Sequence, residues 1–368
     1  MKNLETLIQE LCPDGVEFVK LGDVCEIKTG KGITQKDCSE SSKYPVYSGG
    51  KEPMGYYKEF NRNANTVTVS RVGAYAGFVN YVTEDFYLND KCFSVLPQKD
   101  EDINSKYLYY KLKALECSII NMQSGGGVPT INTKKVGSLE IPLPPIAVQT
   151  VIVRILDKFT SLEAELEAEL DCRKRQYEYY RDKLLSFDNV GGQEVEWKKM
   201  SEVCKIMNGR DYKHLSEGDI PVYGSGGIMT YVNESAYNKP SLLIPRKGSI
   251  GNLFYVETPF WTVDTLYWTK IDECLIVPKF FYYYMTTKDL TKLNMAAGVP
   301  SLTQSMLYKI KIPIPSLEEQ HRIVSILDRF KSLTTSLQSG LPAEIAARRQ
   351  QYEHYRDKLL TFKRKGAA

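Results

Sequence analysis

The chain has 368 residues, of which 42% are hydrophobic and 25% charged, with a net charge of +3 and an isoelectric point near 8.2. Such a chain is expected to be water-soluble, cytoplasmic and long enough for two packed domains, since no apolar run reaches membrane length and the opening MKNLETLIQEL is no signal peptide. Eight scattered cysteines without a C-x-x-C pair and only three histidines argue against a disulfide framework or a zinc site, and the mild basicity falls short of the isoelectric point above about 9 typical of a dedicated nucleic-acid domain.

Residues 3–11 predict a short amphipathic helix with Leu4, Leu7, Ile8 and Leu11 on one face, stopped by the turn Pro13-Asp14-Gly15. A helix this short needs a surface to dock on, and the end of a second, later helix is the expected one. Residues 16–140 alternate short β-type runs with turns rich in Gly, Asn and Ser, then give a helical segment, INSKYLYYKLKALECSII, and a loop from Gly125 to Thr130. This reads as a mixed α+β domain. The 25 tyrosines read as packing residues ahead of base-stacking ones.

Residues 141–187 predict a long helix, with apolar residues at Ile152, Ile155, Phe159, Leu162, Leu166, Leu170, Tyr177, Tyr180, Leu184 and Phe187. Pro144 and Pro145 lead into it, and about forty residues make a rod of roughly 60 Å. The exact repeat Glu163-Ala164-Glu165-Leu166, Glu167-Ala168-Glu169-Leu170 is more than a solvated acidic face requires.

Residues 195–311 then repeat the order of residues 16–140. VEFVKLGDVCEI pairs with VEWKKMSEVCKI, YPVYSGG with IPVYGSGG, Arg71-Val72-Gly73 with Arg246-Lys247-Gly248, Asn89-Asp90 with Val263-Asp264, and GGGVPTIN with AAGVPSLT. The rod also recurs over 312–362, matching at Ile323, Ile326, Leu327, Asp328, Phe330, Leu333, Tyr352, Tyr355, Leu359 and Phe362. The offset between copies is 171 at Ile152/Ile323 and 175 at Tyr177/Tyr352, so the second rod carries four extra residues, close to one helical turn. Ser316 with Glu319 predicts a capping box at its start, and Gly340 with Pro342 a kink or re-start.

An internal duplication of domain plus rod therefore spans the chain. The expected division is a domain at 1–140, a rod at 141–188, a second domain at 189–311, a second rod at 312–363 and a tail at 364–368. The expected fold is α+β, two similar mixed domains separated by two long antiparallel helices that bury their stripes against each other as a coiled coil with a pseudo-twofold axis. The seam would comprise Ile155, Phe159, Leu162, Leu166, Leu170, Tyr177, Leu184, Ile326, Phe330, Leu333, Tyr352 and Leu359.

Catalytic motifs are weak. Pro13-Asp14 with Glu26-Ile27-Lys28 imitates a metal-dependent nuclease of PD-ExK type, but the repeat has Lys205 where Glu26 stands. No phosphate-binding loop or dinucleotide fingerprint occurs, and three scattered histidines offer no nucleophile–base pair. No catalytic residue, metal ligand or cofactor is assigned to this chain. What recurs are glycine-bearing loops: Ser48, Gly49, Gly50 and Lys51; Gly125, Gly126 and Gly127; Ser225, Gly226 and Gly227; and Gly298. Beside them stand Arg71, Arg246 and Lys247. Glycine lets backbone N–H groups approach a phosphate, and arginine can read guanine bidentately, so these are the candidate DNA-binding residues; ordinary hairpin turns are the plainer alternative.

Taken together, two variable domains, each followed by a rod opening IPLPPIAVQ…RILDKF or IPIPSLEEQHRIVSILDRF and closing YYRDKLLSF or YRDKLLTF, resemble the DNA-specificity subunit of Type I restriction-modification systems. LEAELEAEL is similar to the tetrapeptide repeats of one subfamily. The resemblance implies two target recognition domains, each reading one half of a bipartite, asymmetric double-stranded DNA target, held apart by helices that bind two methyltransferase subunits. It also implies restriction–translocation subunits as partners, with S-adenosylmethionine, ATP and Mg²⁺ acting on those partners. A non-catalytic coiled-coil adaptor and a self-sufficient nuclease are the rival readings.

Overall fold

The duplication reappears as two units of like construction, one formed by Met1–Leu166 with Ile345–Ala368 and the other by Glu167–Glu344. The computed structural model describes residues 4–124, 127–187, 195–293, 300–335 and 340–366.

In the first unit α1 (Leu4–Leu11) precedes β1 (Glu17–Lys20), the one-turn α2 (Leu21–Val24) and β2 (Cys25–Thr29). Then follow β3 (Tyr44–Tyr47), β4 (Tyr56–Tyr57), β5 (Thr66–Ser70), β6 (Val79–Val82), β7 (Tyr87–Leu88) and β8 (Cys92–Pro97). Helices α3 (Ser105–Ala114), α4 (Glu116–Ile120) and α5 (Thr133–Gly137) lead to β9 (Glu140–Leu143) and the long α6 (Ile146–Leu184). One sheet runs β2-β8-β5-β6, a smaller one β4-β3-β7, and β1 pairs antiparallel with β9. The core lies between the larger sheet and α3, where Val67, Val69, Phe93 and Val95 meet Leu108 and Leu112. Every residue of β5 is buried, as the β-branched run Thr-Val-Thr-Val suits for a central strand covered on both faces.

The second unit repeats the order with β10 (Glu196–Lys199), α7 (Met200–Val203), β11 (Cys204–Asn208), β12 (Glu217–Gly224), β13 (Gly227–Val232), β14 (Ser241–Pro245), β15 (Phe254–Val256), β16 (Trp261–Thr262) and β17 (Leu266–Ile271). It continues with α8 (Pro278–Thr286), α9 (Gln304–Leu307), β18 (Lys311–Ile314), α10 (Leu317–Thr335) and α11 (Leu341–Leu359), the last of which belongs mostly to the first unit. Its sheets are β11-β17-β14-β15 and β13-β12-β16, with β10 paired to β18. The tyrosine-rich helices α3 and α8 bury Tyr107, Tyr110, Tyr283 and Tyr284, so packing is where these aromatics go.

Each unit anchors a long helix with the same two devices. A buried glutamine one turn into the helix holds three backbone groups. Gln149 accepts from Asn104 N at 2.9 Å and donates to Asp102 O and Pro144 O at 2.8 Å each. Gln320 accepts from Val277 N at 2.7 Å and donates to Leu275 O at 3.2 Å and Pro315 O at 2.9 Å. Two turns on, an aspartate takes a lysine and a tyrosine from the neighbouring helix. Asp157 binds Lys106 at 2.8 Å and the Tyr110 hydroxyl at 2.6 Å; Asp328 binds Lys279 at 2.9 Å and the Tyr283 hydroxyl at 2.5 Å. Burial, and then the bonded carboxylate, push both tyrosine pKa values well above the ordinary phenol range.

The helix stripes differ in register from the expected seam. The fully buried positions are Val148, Ile152 and Leu156 in α6 and Ile323 and Leu327 in α10, each packed on its own unit's core. Ile155, Leu162, Leu166, Leu170 and Ile326 are half-buried, Tyr180 is 37% exposed and Leu333 52% exposed. The reason is that each helix has two partners, a sheet domain and another helix, so its apolar face is wider than one coiled-coil seam. The helix–helix contacts are aromatic. In the first unit Phe159 stacks on Tyr355 with centroids 5.5 Å apart and planes at 25°, and lies 6.4 Å from Tyr352. In the second unit Phe330 stacks on Tyr180 at 5.7 Å and 26°, and Tyr177 and Leu184 pack on the core. Arg349 of α11 reaches Glu163 of α6 at 2.5 Å, and with Phe159 on Tyr355 the numbering rises along α6 as it falls along α11, so that pair is antiparallel.

The second rod is two helices. Gly340 at φ +87° lies between Thr335 and Leu341, and Pro342 fits the first turn of α11. The four extra residues therefore fall in the stretch containing this interruption, where they do not add a turn to a continuous helix. Ser316 caps α10 through Glu319 N at 3.3 Å, but the Glu319 carboxylate turns to Arg322, two contacts of 2.6 Å, so the expected reciprocal box is replaced by an ion pair. In α1, Leu4 is buried while Leu11 is 45% exposed, because Cys12 beyond the helix end takes the inner place. The helix does pack beside the end of α11, against Leu360 and Phe362.

Candidate nucleic-acid interface

In the first unit the buried strand β5 surfaces at Arg71, and the backbone there is tied on both sides. Arg71 N donates to Lys91 O at 2.7 Å, Ile131 N to Arg71 O at 2.9 Å, and Gly73 N to Pro129 O at 3.0 Å, while Val72 bridges Thr130. Gly73 sits at φ +103°, a conformation open to glycine. The turn after β3 closes on this loop: a Cβ on Gly49 would stand 2.5 Å from Val72 O, so only glycine permits the approach. Asn89 fixes the third wall, donating from its side chain to Ile33 O at 2.8 Å and accepting from Lys91 N at 3.2 Å.

Two clefts result. A larger one, about 790 Å³, is lined by Thr34, Gln35, Ser48, Gly50, Asp90 and Lys91 among others. A smaller one, about 350 Å³, holds Arg71 with Ser124, Thr130 and Asn132. The Arg71 guanidinium donates to Asp90 O at 3.3 Å, and the Lys51 ammonium stands 5.4 Å from the Tyr75 ring centre. Asp37, at the cleft edge, accepts from Thr34 backbone and hydroxyl, which hold its carboxyl below the ordinary range and ionised. The cleft thus offers cationic and amide donors beside carboxylate acceptors, the inventory that reads phosphates and base edges.

The second unit makes the same ties with different walls. Strand β14, also wholly buried, surfaces at Arg246, whose N donates to Thr265 O at 2.8 Å and whose O accepts from Leu302 N at 2.9 Å. Gly248, at φ +82°, donates to Pro300 O at 3.1 Å, and Lys247 bridges Ser301. The β12–β13 turn at Ser225-Gly226, followed by Gly227 at φ +121°, is held there by Asn252 Nδ2 to Ser225 O at 3.2 Å. The Arg246 guanidinium lies 5.9 Å from the Tyr267 ring centre.

The structure therefore gathers Ser48, Gly49, Gly50 and Arg71 around one site, with Lys51 next to Gly50 and over Tyr75, and Ser225, Gly226, Gly227, Arg246 and Lys247 around another; Gly127, at φ +101°, lines neither cleft. Gly125, Gly126 and Gly298 lie outside the described residues. Sequence reasoning passed over Asn89, Asp90 and Lys91 as wall residues, although Asn89-Asp90 had already been paired with Val263-Asp264 across the repeat. Of the nuclease-like residues, Glu26 is ion-paired with Lys28 at 2.7 Å on a half-exposed strand. Among the described residues no group of three or more His, Cys, Asp or Glu is placed to hold a metal. Cys92 beneath the first cleft is buried, which pushes its thiol up to about 11 and keeps it unreactive at neutral pH.

The family described as "Type I restriction modification DNA specificity domain" matches residues 13–171 and 193–347. A Haemophilus influenzae protein named as a type I restriction enzyme specificity subunit is 31% identical over 393 residues, covering 98% of this chain and 100% of its own. The EcoR124I/EcoR124II specificity subunit of Escherichia coli is 31% identical over 404 residues, covering 98% and 97%. In fold, the chain is similar to the S subunit of a Type I restriction-modification system from M. genitalium, with a TM-score of 0.63, 21% identity and coverage of 94% and 96%.

Proposed function

Because this chain belongs to the family of Type I restriction-modification DNA specificity subunits, we propose that each of its two units reads one half of a split, asymmetric double-stranded target. The chain is a recognition subunit; it selects the DNA on which methyltransferase and restriction subunits act. Two methyltransferase subunits would dock on the rods α6, α10 and α11, and S-adenosylmethionine, ATP and Mg²⁺ would serve the methyltransferase and restriction partners.

One observation carries this reading. The same backbone ties hold Arg71–Gly73 and Arg246–Gly248 in place, while the side chains around them differ between the units. A shared scaffold presenting two unlike surfaces suits a target with unlike halves, and a β-rich loop surface carrying arginine suits base-edge readout. The helix α6 runs from one unit into the other, and its tetrapeptide repeat spans the division at Leu166/Glu167, which supports a role in setting the gap between half-sites. The seam and loop residues named above are the positions proposed for subunit docking and DNA contact.

Single-molecule methylome sequencing of a host expressing this chain with its methyltransferase subunit tests the reading. A bipartite N6-methyladenine motif that disappears when the chain is deleted is the expected result. Absence of any such motif, with the methyltransferase subunit still co-purifying, would replace it with the adaptor reading.

A further inference from the structure

The hairpin β12–β13 in the second unit carries three large apolar side chains in the open, Ile228, Met229 and Tyr231, 51%, 58% and 49% exposed. They follow directly on the Ser225-Gly226 turn, which Asn252 and Thr265 fasten to the Arg246 loop. The apolar patch is thus continuous with the basic one. Its shape is also built. Val222 pairs with Thr230 and Tyr223 with Ile228, which leaves Met229 as the extra residue of a bulge, a device that re-aims a side chain. A Cβ on Gly224 would stand 2.5 Å from the Met229 sulfur, so glycine at that position is what lets the methionine lie across the end of the strand.

The corresponding wall of the first unit mixes polar Ser48, Gln35, Asp90 and Lys91 with Ile33, Met54 and Val72, and its exposed large side chains there are the tyrosines Tyr56 and Tyr75, so the exposed aliphatic pair Ile228 and Met229 is particular to the second unit. A two-stranded ribbon fits the major groove, and the one apolar feature a base pair shows there is the C5 methyl of thymine. We infer that the β12–β13 hairpin enters the major groove and recognises thymine methyl groups in the half-site read by the second unit, with Ile228 and Met229 as the contacting side chains. This rests on the recognition reading, and an exposed apolar surface beside arginine, lysine and asparagine is otherwise unaccounted for.

The test uses the chain assembled with its methyltransferase subunits. Arg246→Ala first identifies which half-site belongs to the second unit. The thymines of that half-site are then replaced by deoxyuridine, which loses only the methyl, and the Kd is measured by fluorescence anisotropy. Binding is expected to weaken about fourfold for each contacted methyl. A Ile228→Ser/Met229→Ser variant, altered only at exposed positions, is expected to bind the thymine and uracil duplexes equally. The inference is overturned if the native complex is indifferent to uracil, or if the double variant keeps the full uracil penalty. It is equally overturned if that variant loses its methyltransferase subunits while free chain still binds DNA, which would make the patch a protein interface. A native complex that cannot tell its target from scrambled duplex overturns the recognition reading itself.

Discussion

Replacing Gln320 by methionine keeps the volume of the side chain and deletes its polar atoms. Three hydrogen bonds to the main chain are lost, at 2.7, 3.2 and 2.9 Å, in a side chain with no exposure to solvent. At about 1 kcal/mol each, with an added penalty because the Val277 N–H is left without its acceptor, the cost is about 3–4 kcal/mol. All three tryptophans, Trp197, Trp261 and Trp268, belong to the second unit, so their fluorescence reports its unfolding. With a urea dependence of about 2 kcal/mol per molar, the fluorescence midpoint should fall by about 1.5–2 M. The matching change at Gln149 strips the same three contacts from the first unit and should move the fluorescence midpoint by less than about 0.5 M, while lowering the far-UV signal of the first unit's transition. A Gln320→Met midpoint within about 0.5 M of the native one would refute the argument that this residue fixes the helix to its unit.

Three further outcomes are expected. Arg71→Ala and Arg246→Ala should each relax recognition of a different half-site, by roughly 10- to 100-fold against the wrong base, visible as degenerate positions in the methylome; loss of both half-sites from one substitution would contradict a division of labour. Deleting Glu163–Leu166 brings the identical Glu167–Leu170 into its place and should shorten the gap between half-sites by about one or two base pairs, at roughly 6 Å of helix per tetrapeptide; an unchanged gap removes the ruler. Burial pushes the thiols of Cys25 and Cys204 up to about 12 and Cys92 to about 11, against an unperturbed 9.0. The folded chain then holds protons that the unfolded chain releases, so this contribution is fully present below pH 9 and declines between pH 9 and 12. Iodoacetamide at pH 8 should label the exposed Cys117, Cys172 and Cys274 and spare these three, as peptide mass mapping would show.

The duplication, the rods and the glycine-bearing loops were legible because they rest on chemistry that is local: helical spacing, proline ahead of a helix, glycine in a turn. The anchors were not. Gln149 and Gln320 look like surface residues in the first turn of an amphipathic helix, and their role depends on backbone groups brought to them by the segment ahead of α3 or α8 as well as by the turn after β9 or β18. The available signal is position, since 149 and 320 keep the repeat offset of 171 with the same residue, glutamine, in both copies. Ile152, Ile323 and Leu327 of the stripe are buried, while the expected seam takes Ile155 and Ile326 and leaves out the buried Leu156, because a periodicity count cannot tell a helix with one partner from a helix with two. In the clefts arginine and glycine stand out by residue type, whereas Asn89 acts through a tertiary bond to Ile33 O and Asp90 through its carbonyl to Arg71, and no spacing encodes either.

The first unit is assembled from both ends of the chain. Val16 N donates to Lys363 O and Lys365 N to Val16 O, each at 2.9 Å, and a Cβ on Gly15 would collide with the same segment. The second unit is one unbroken stretch, Glu167–Glu344. During translation the order of completion is therefore the reverse of the order of appearance: the unit encoded second has its whole sequence out of the ribosome first, and the unit encoded first waits, with α1 and β1 already made, for residues 345–368. A frameshift or stop codon after position 344 would accordingly spare the nearer unit and cripple the one whose coding began at the start of the message.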